Sequence, residues 1–509
     1  MSLSFRKPGS DEATLIAVTY ASRAILTIGI YSFGSRYFFR LLIAACLFVL
    51  VVESLQAAEW RFRPRLTVEG TYSDNITLTP DGESDFVTDI SPGFTLNGKG
   101  RRFFFDVFYN LQYLHYAQNT GSNRFNNYLQ VLGNGEVAED LFFIDLRSTV
   151  RPENISNRPN TANSSISITD NVTNVYTFGI SPYLTHRFGS FMDGEARYSF
   201  DRVEYEESSR SDSSTNAIFL NLKSGRAFQT FTWDTFYRWR QEDPEVGQVI
   251  TFQRIEAAGS YHFNRKAAVV FGTGYEDNEF LGSQITDTTA VTWLAGVRLT
   301  PNPRTLLEGG AQNRFFGTAP YLNIEYRSGR TAFGLHYNED VTTNNQVRSN
   351  QTFVPLLDPF GDPILDPDTG EATRIPIDSP GIRNEVLVIQ QLDGTLAFRG
   401  QRTDVGFTVL GTRRDFQFSP NEDVYGIRAF ATRRLSRRTS VRLSGRMTRS
   451  EFDGPTPNRT QWEVGIDLNR QFSSDFSGRI ALFHITQDSK DPAFNYDENR
   501  LTLGITKFF

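Results

Sequence analysis

Apolar and polar residues alternate along most of the chain in runs of ten or so. In "FTWDTFYRWR", Phe231, Trp233, Thr235, Tyr237 and Trp239 fall on one side, while Thr232, Asp234, Arg238 and Arg240 fall on the other, where Phe236 is an apolar exception. In "FFIDLRSTVR", Phe142, Ile144, Leu146 and Val150 oppose Asp145, Arg147, Thr149 and Arg151. "SVRLSGRMTR" sets Val441, Leu443 and Met447 against Arg442, Ser444, Arg446 and Thr448. "TQWEVGIDLNRQ" sets Trp462, Val464, Ile466 and Leu468 against Glu463, Gly465, Asp467 and Asn469. A period of two sends successive side chains to opposite faces of a strand. No helical periodicity of useful length follows Ala58.

A soluble β-sandwich alternates too. Two features favour a membrane barrel. The runs reach ten residues or more, above the soluble mode of about 5–6 and close to the roughly 9–11 that a tilted membrane strand needs. The connections also alternate in length. Short ones such as "NGKGR", "NRKA", "RSGR" and "LSRRTS" interleave with longer polar ones such as "RPENISNRPNTANSSISITD" and "EFDGPTPNRT", as short periplasmic turns interleave with outer loops in transmembrane barrels. The pattern predicts about 22 strands, with 20 to 24 open. They start near Trp60, Phe86, Arg102, Phe125, Leu141, Asn174, Met192, Ser214, Thr230, Ile250, Ala267, Ala290, Thr305, Pro320, Thr331, Glu385, Thr403, Asp423, Thr439, Thr460, Phe476 and Tyr496. The expected fold is an all-β, antiparallel, up-and-down transmembrane barrel. An even strand number puts both termini on one side, the periplasm. A long extracellular loop is expected at about 343–383, and no residues remain for a plug domain.

The chain ends on "NRLTLGITKFF". Leu501, Leu503 and Ile505 share a face, so this end is expected to be docked in the sheet, closing the barrel on its first strand. Aromatic-terminated alternation of this kind resembles the signal that the barrel-assembly machinery reads in outer-membrane proteins. Phe509, Ile505, Leu503 and Leu501 would carry it, and Lys507 departs from it, with a stem able to snorkel.

Composition sharpens this picture. Aromatics make up 14% of the 509 residues, with 44 Phe and 20 Tyr, and net charge is −6. Aromatics with turn formers suit strands, and the charge argues against a nucleic-acid partner. Lys and Arg total 52, of which only six are Lys, leaving 46 Arg. Arginine holds its charge when partly desolvated and forks onto carboxylates. The single cysteine, Cys46, lies in an apolar run from Leu41 to Val52 that follows Arg36 and Arg40. Twelve residues are too few to span a bilayer but suit a signal-peptide core. Residues 1–58 therefore read as an extended N-terminal region with a signal peptide cleaved after Ala57 or Ala58, and 59–509 as one barrel. The expected location is the outer membrane of a Gram-negative cell, with its lipid as the immediate partner.

The first third is similar to the outer-membrane proteins associated with PEP-CTERM systems, encoded near exosortase and exopolysaccharide genes. The resemblance rests on "VEGTYSDNITLTP", "DFVTDISPGFTLNGKGRRFFFDVFYNLQYLHYA" and "EVAEDLFFIDLRSTV". It spans roughly residues 60 to 150; beyond that, the barrel pattern and Phe509 alone match. It implies an outer-membrane barrel, an association with polysaccharide export and its components, and no catalytic residues.

Chemical motifs are sparse. His115, His186, His262, His336 and His484 show no metal-ligand spacing. His484 in "LFHITQDS" could meet a serine on a neighbouring strand, and interfacial packing is the alternative. No G-x-S-x-G elbow or phosphate-cradling loop is present, and no cofactor is expected. Asp74 and Asn75 in "YSDN" suit a turn that ends the first strand. "DPDTGE", with Asp366, Asp368 and Glu371, partly matches a calcium loop but departs from its spacing. The expected function is a non-enzymatic, porin-like channel associated with exopolysaccharide export. An outer-membrane hydrolase or acyltransferase, and a structural or adhesive barrel, are the alternatives. Arginine on the lipid side would cost about 2–4 kcal/mol at mid-membrane. Arg147, Arg151, Arg238, Arg240, Arg442, Arg446, Asp145, Asp234, Glu463 and Asp467 are therefore expected to line the lumen, either as an ion-pair ladder or as a selective constriction.

Overall fold

The computed structural model describes residues 59–156, 161–162, 164–206, 212–280, 288–351, 382 and 384–509. The calcium-loop candidates Asp366, Asp368 and Glu371, and residues 1–58, lie outside them. The strands are β1 (Glu59–Ser73), β2 (Asp85–Lys99), β3 (Phe103–Tyr116), β4 (Arg124–Ala138), β5 (Phe142–Asn154), β6 (Val172–Phe188), β7 (Met192–Tyr205) and β8 (Ser213–Ser224). Then come β9 (Phe231–Pro244), β10 (Ile250–Asn264), β11 (Ala267–Glu279), β12 (Thr289–Asn302), β13 (Thr305–Arg314), β14 (Gly317–Arg327) and β15 (Thr331–Thr343). A helix, α1 (Asn344–Gln351), follows. The rest are β16 (Val386–Arg399), β17 (Thr403–Phe416), β18 (Glu422–Arg434), β19 (Thr439–Phe452), β20 (Arg459–Gln471), β21 (Phe476–Ser489) and β22 (Tyr496–Phe508).

Each strand pairs antiparallel with the next, and β22 returns to β1, so the 22-stranded sheet closes as an up-and-down barrel. Every expected strand start falls within three residues of an observed one, the widest gap being Pro320 against Gly317. No helix among the described residues is long and apolar enough to cross a membrane; the strands are the spanning elements.

The seam shows why the terminal pattern matters. Nine residue pairs join β1 and β22, from Arg65 opposite Phe508 to Ser73 opposite Arg500. On one face, hydroxyls stitch the strands together: Thr67 to Thr506 at 3.1 Å, Thr71 to Thr502 at 3.0 Å, and Ser73 donating to Glu498 at 2.8 Å. On the other face, Leu501, Leu503 and Ile505 are exposed. The Phe509 N–H donates to the Pro64 carbonyl at 2.9 Å, so the final backbone group is also held.

The strands run from 10 to 17 residues, and all but β13 and β14 are longer than the roughly 9–11 a bilayer requires. Backbone pairing continues beyond the apolar belt because the ladder satisfies its polar groups in any solvent. The connections at one end, which also holds both ends of the sheet, have two to six residues. At the other end they include an 11-residue connection after β1, 17 residues after β5 and 42 after β15. We refer to these as the short-turn and long-loop ends. The long-loop end also contains the two-residue turn Phe315–Phe316. Both rings pack against a buried cluster of Ile250, Phe252, Val341 and Val386.

Candidate functional site

One face of the barrel wall is apolar and exposed: Ile218, Leu220, Leu222, Trp293, Phe407, Ile427, Trp462 and Leu503 are typical. The other face carries the charges. Arg147 on β5 forms a hydrogen-bonded ion pair with Asp201 on β7, reaching over Gly179 on the strand between them. A Cβ at Gly179 would collide with both side chains, so the glycine makes the crossing possible. Asp145 pairs with Arg197 at 2.6 Å, whose guanidinium also lies 3.7 Å from the Tyr183 ring centre. Arg151 pairs with Glu153 at 2.7 Å. Asp234 accepts from Asn221 at 2.9 Å.

Arg238 and Arg240 stack on aromatics instead. Arg238 sits 5.5 Å from the Phe219 ring and 5.7 Å from Phe236, and Arg240 sits 4.4 Å from Phe252. Arg254 approaches Phe236 from β10 at 5.6 Å. This accounts for the one apolar residue on the polar side of β9: Phe236 is a platform for cations. Arg442 lies 4.4 Å from Phe430, Arg446 donates to Gln461 at 3.4 Å, and Glu463 stands opposite Arg446 in the β19–β20 register. Asp467 accepts from Arg479 and Asn469. The ten candidates therefore do not converge on one point. They occupy two sectors, β5–β9 and β19–β20.

What crosses the long-loop mouth was almost invisible in the alternation pattern. α1 leaves β15 and reaches side chains of β5, β7 and β9. Arg348 is fully buried and donates to Glu153 at 3.1 Å, with its guanidinium 5.9 Å from the Tyr205 ring centre. Asn345 donates to Glu242 at 3.0 Å and accepts from the Tyr205 hydroxyl. Thr343 donates to Glu242 and accepts from the Gln346 N–H at 3.2 Å, capping the helix start. Arg348, Asn345, Glu153, Tyr205 and Glu242 are the residues that sequence reasoning missed. The only local signal was "TTNN", a fair helix cap. The 17-residue β5–β6 connection joins α1's segment, since the Ile382 N–H donates to the Ile155 carbonyl at 2.7 Å. The same connection packs Ile166 and Ile168 against Ile76, Val87, Leu114 and Tyr116, and Arg124 donates to the Ser165 and Ser167 carbonyls at 2.7 and 2.9 Å. It also meets Arg459 of β20 through Thr161. A further buried ion pair joins Arg314 to Glu276, with Asp340 at 3.1 Å.

Asp74 and Asn75 hold the seam at this end. Asp74 accepts from the Asn499 backbone and side chain at 2.7 and 2.8 Å, and Asn75 donates to the Thr79 and Asp497 carbonyls. The His484 ring is 2.9 Å from the Asn499 side-chain oxygen. The histidines sit on five separate strands, β3, β6, β10, β15 and β21. At the short-turn end, Lys507 forms an ion pair with Asp475. Lys507 and the Ser473 hydroxyl together hold the Asp475 carboxyl below the usual carboxylate range.

Residues 55–219 match a family model described as "Putative beta-barrel porin 2". No curated protein matches the chain. Among solved structures, the chain is similar to the siderophore receptor PirA from Acinetobacter baumannii, at 8% identity and TM-score 0.51, covering 88% of this chain and 80% of that one. It is also similar to the FrpB iron transporter from Neisseria meningitidis, at 10% identity and TM-score 0.51, covering 89% and 83%. At such identities the likeness is one of fold. The fold is that of a large outer-membrane β-barrel, and the family match is porin-like.

Proposed function

We propose that the protein is a porin-like channel of the outer membrane whose polar face lines an aqueous lumen, narrowed at the long-loop mouth by α1. One observation carries this reading: Arg348 of α1, fully buried, bonds Glu153 on β5, ten strands from the β15 that leads into the helix. A segment joining walls so far apart runs across the interior, where the polar face must then lie. The charged residues of that face serve mainly as an ion-pair and cation–aromatic ladder that holds a wide wall in register. The long loops face outward and the short turns face the periplasm, as in barrels of this class. The Phe509-terminated strand is the segment that the assembly machinery would read. The resemblance of residues 60–150 supports polysaccharide export as the setting. Liposomes containing the protein should swell in small neutral sugars. Liposomes that stay impermeable would overturn the channel reading in favour of an envelope enzyme or an adhesive barrel.

A further inference from the structure

Charge is distributed unevenly between the two ends of the barrel. Among the described residues, the eleven connections at the long-loop end contain 10 acidic and 2 basic residues, a net −8. The ten at the short-turn end contain 3 acidic and 10 basic residues, a net +7. The whole chain carries only −6, so this is a polarity along the barrel axis and not a bulk excess.

Three of these ten basic residues, with two more from strand ends, line a cavity of about 780 Å³ at the short-turn mouth. It is lined by Arg402 in the β16–β17 turn, Arg434 at the end of β18, Arg437 and Arg438 in the β18–β19 turn, and Arg470 on β20. One carboxylate approaches them: Asp404 lies 3.9 Å from Arg434. Arg434 and Arg438 are steadied by the Gln401 and Phe472 carbonyls at 3.1 and 3.2 Å. Arg402 and Arg437 are exposed, and among the described residues their side chains make no hydrogen bond or ion pair. Asn469 and Ser477 also line the cavity. They share the polar face with Asp467 and Arg479, while Arg470 and Phe476 belong to the other face, so the cavity sits at the rim, where the two faces meet.

On the wall above, Arg438, Arg442 and Arg446 follow one another at intervals of four residues on the same face, with Asp467 opposite Arg442 and Glu463 opposite Arg446 in the β19–β20 register. The charge left for an anion to meet is therefore that of the mouth itself, at Arg402 and Arg437. Arginine suits the task because its planar fork takes carboxylate or phosphate oxygens two at a time. Arg402 and Arg437 sit on adjacent hairpins, and two strand spacings put such turns about 10 Å apart. A chain with acidic groups at intervals of that order can engage both at once, with one acidic group on each guanidinium. Hydroxyl- and amide-bearing side chains between the arginines suit a hydroxyl-rich chain.

We propose that the short-turn mouth is a binding site for an acidic oligosaccharide, one bearing carboxylate or phosphate groups along its length. The axial polarity admits it from this end and disfavours it at the acidic one. This deepens the channel reading, on which it rests for the polar face being the inner one. Calorimetry on the full chain in detergent micelles tests it without requiring conduction, so a barrel that fails to conduct but binds leaves this inference standing. The probes are a short oligogalacturonate, a neutral dextran oligomer of equal length, polyglutamate and inorganic phosphate. Oligogalacturonate should bind, and more weakly as salt screens the charges. The double variant Arg402→Gln/Arg437→Gln should lose about ten-fold or more in affinity, as the loss of charge-assisted hydrogen bonds implies, while remaining heat-modifiable. Each single variant should lose part of that. Equal binding of dextran, or unchanged affinity in the double variant, would overturn the proposal. Polyglutamate binding as tightly would assign the mouth to an acidic peptide, and phosphate binding as tightly would reduce it to a single-ion site; either result contradicts it.

Discussion

The two mouths of the barrel treat charge in opposite ways. At the long-loop mouth, ion pairs are buried: Arg348 with Glu153, and Arg314 with Glu276, beside a half-exposed Asp340. At the short-turn mouth, Arg402 and Arg437 stand exposed beside a cavity. A buried pair is weak evidence of net stabilisation, yet breaking it by removing one partner is costly. An exposed charge costs little to keep and little to lose. The first mouth therefore uses charge to fix a segment in place. The second leaves charge available to whatever passes.

The sharpest way to break this comparison is to remove one charge from each mouth. Arg314→Ala leaves Glu276, itself almost fully buried, without its main partner. It should lower stability by about 3–5 kcal/mol, read as a fall in the denaturant midpoint. Arg437→Ala should stay within about 0.5 kcal/mol of the parent. Comparable losses at both sites would erase the distinction. Next in size is a test of the faces themselves. Leu503→Arg should cost about 2–4 kcal/mol in a lipid refolding assay if that face meets the bilayer, and a neutral result would reverse the assignment.

Between the mouths, Arg238→Ala and Arg240→Ala remove cations that lie over Phe219, Phe236 and Phe252. Each should cost about 0.5–2 kcal/mol and leave ion selectivity unchanged. A fall in anion preference without a fall in melting temperature would move these residues from the ladder to a constriction. The smallest effect belongs to the Lys507–Asp475 pair. The Asp475 carboxyl is held below its ordinary range in the folded protein. Its contribution is complete above the unfolded carboxylate value and fades as pH falls through the lowered one. Asp475→Asn should remove that acid-side loss, seen as a slightly flatter melting temperature against pH, with no change near neutrality in the long-loop pairs.

The strands were legible because their information is local. A period of two and turn residues at the breaks mark each hairpin, and all 22 starts lie within three residues of expectation. The seam was legible for the same reason, through Leu501, Leu503 and Ile505. The helix α1 was not: "NNQVRSNQ" has no apolar stripe to announce it. What anchors it is non-local, since Arg348 finds Glu153 195 positions away, and Asn345 finds Tyr205 and Glu242 140 and 103 positions away. Phe236 looked like an error in the alternation because its partners, Phe219 apart, are guanidinia on its own strand and the next. Strand ends were blurred because pairing outlasts the apolar belt.

The central claim is a lumen narrowed by a helix held across its mouth, and single-channel recording in planar bilayers addresses it directly. The parent should conduct. Arg348→Ala, which removes the buried cation that ties α1 to Glu153, should conduct more per channel while remaining heat-modifiable. Equal conductance in parent and variant, or a parent and variant that both fail to conduct, would contradict the account.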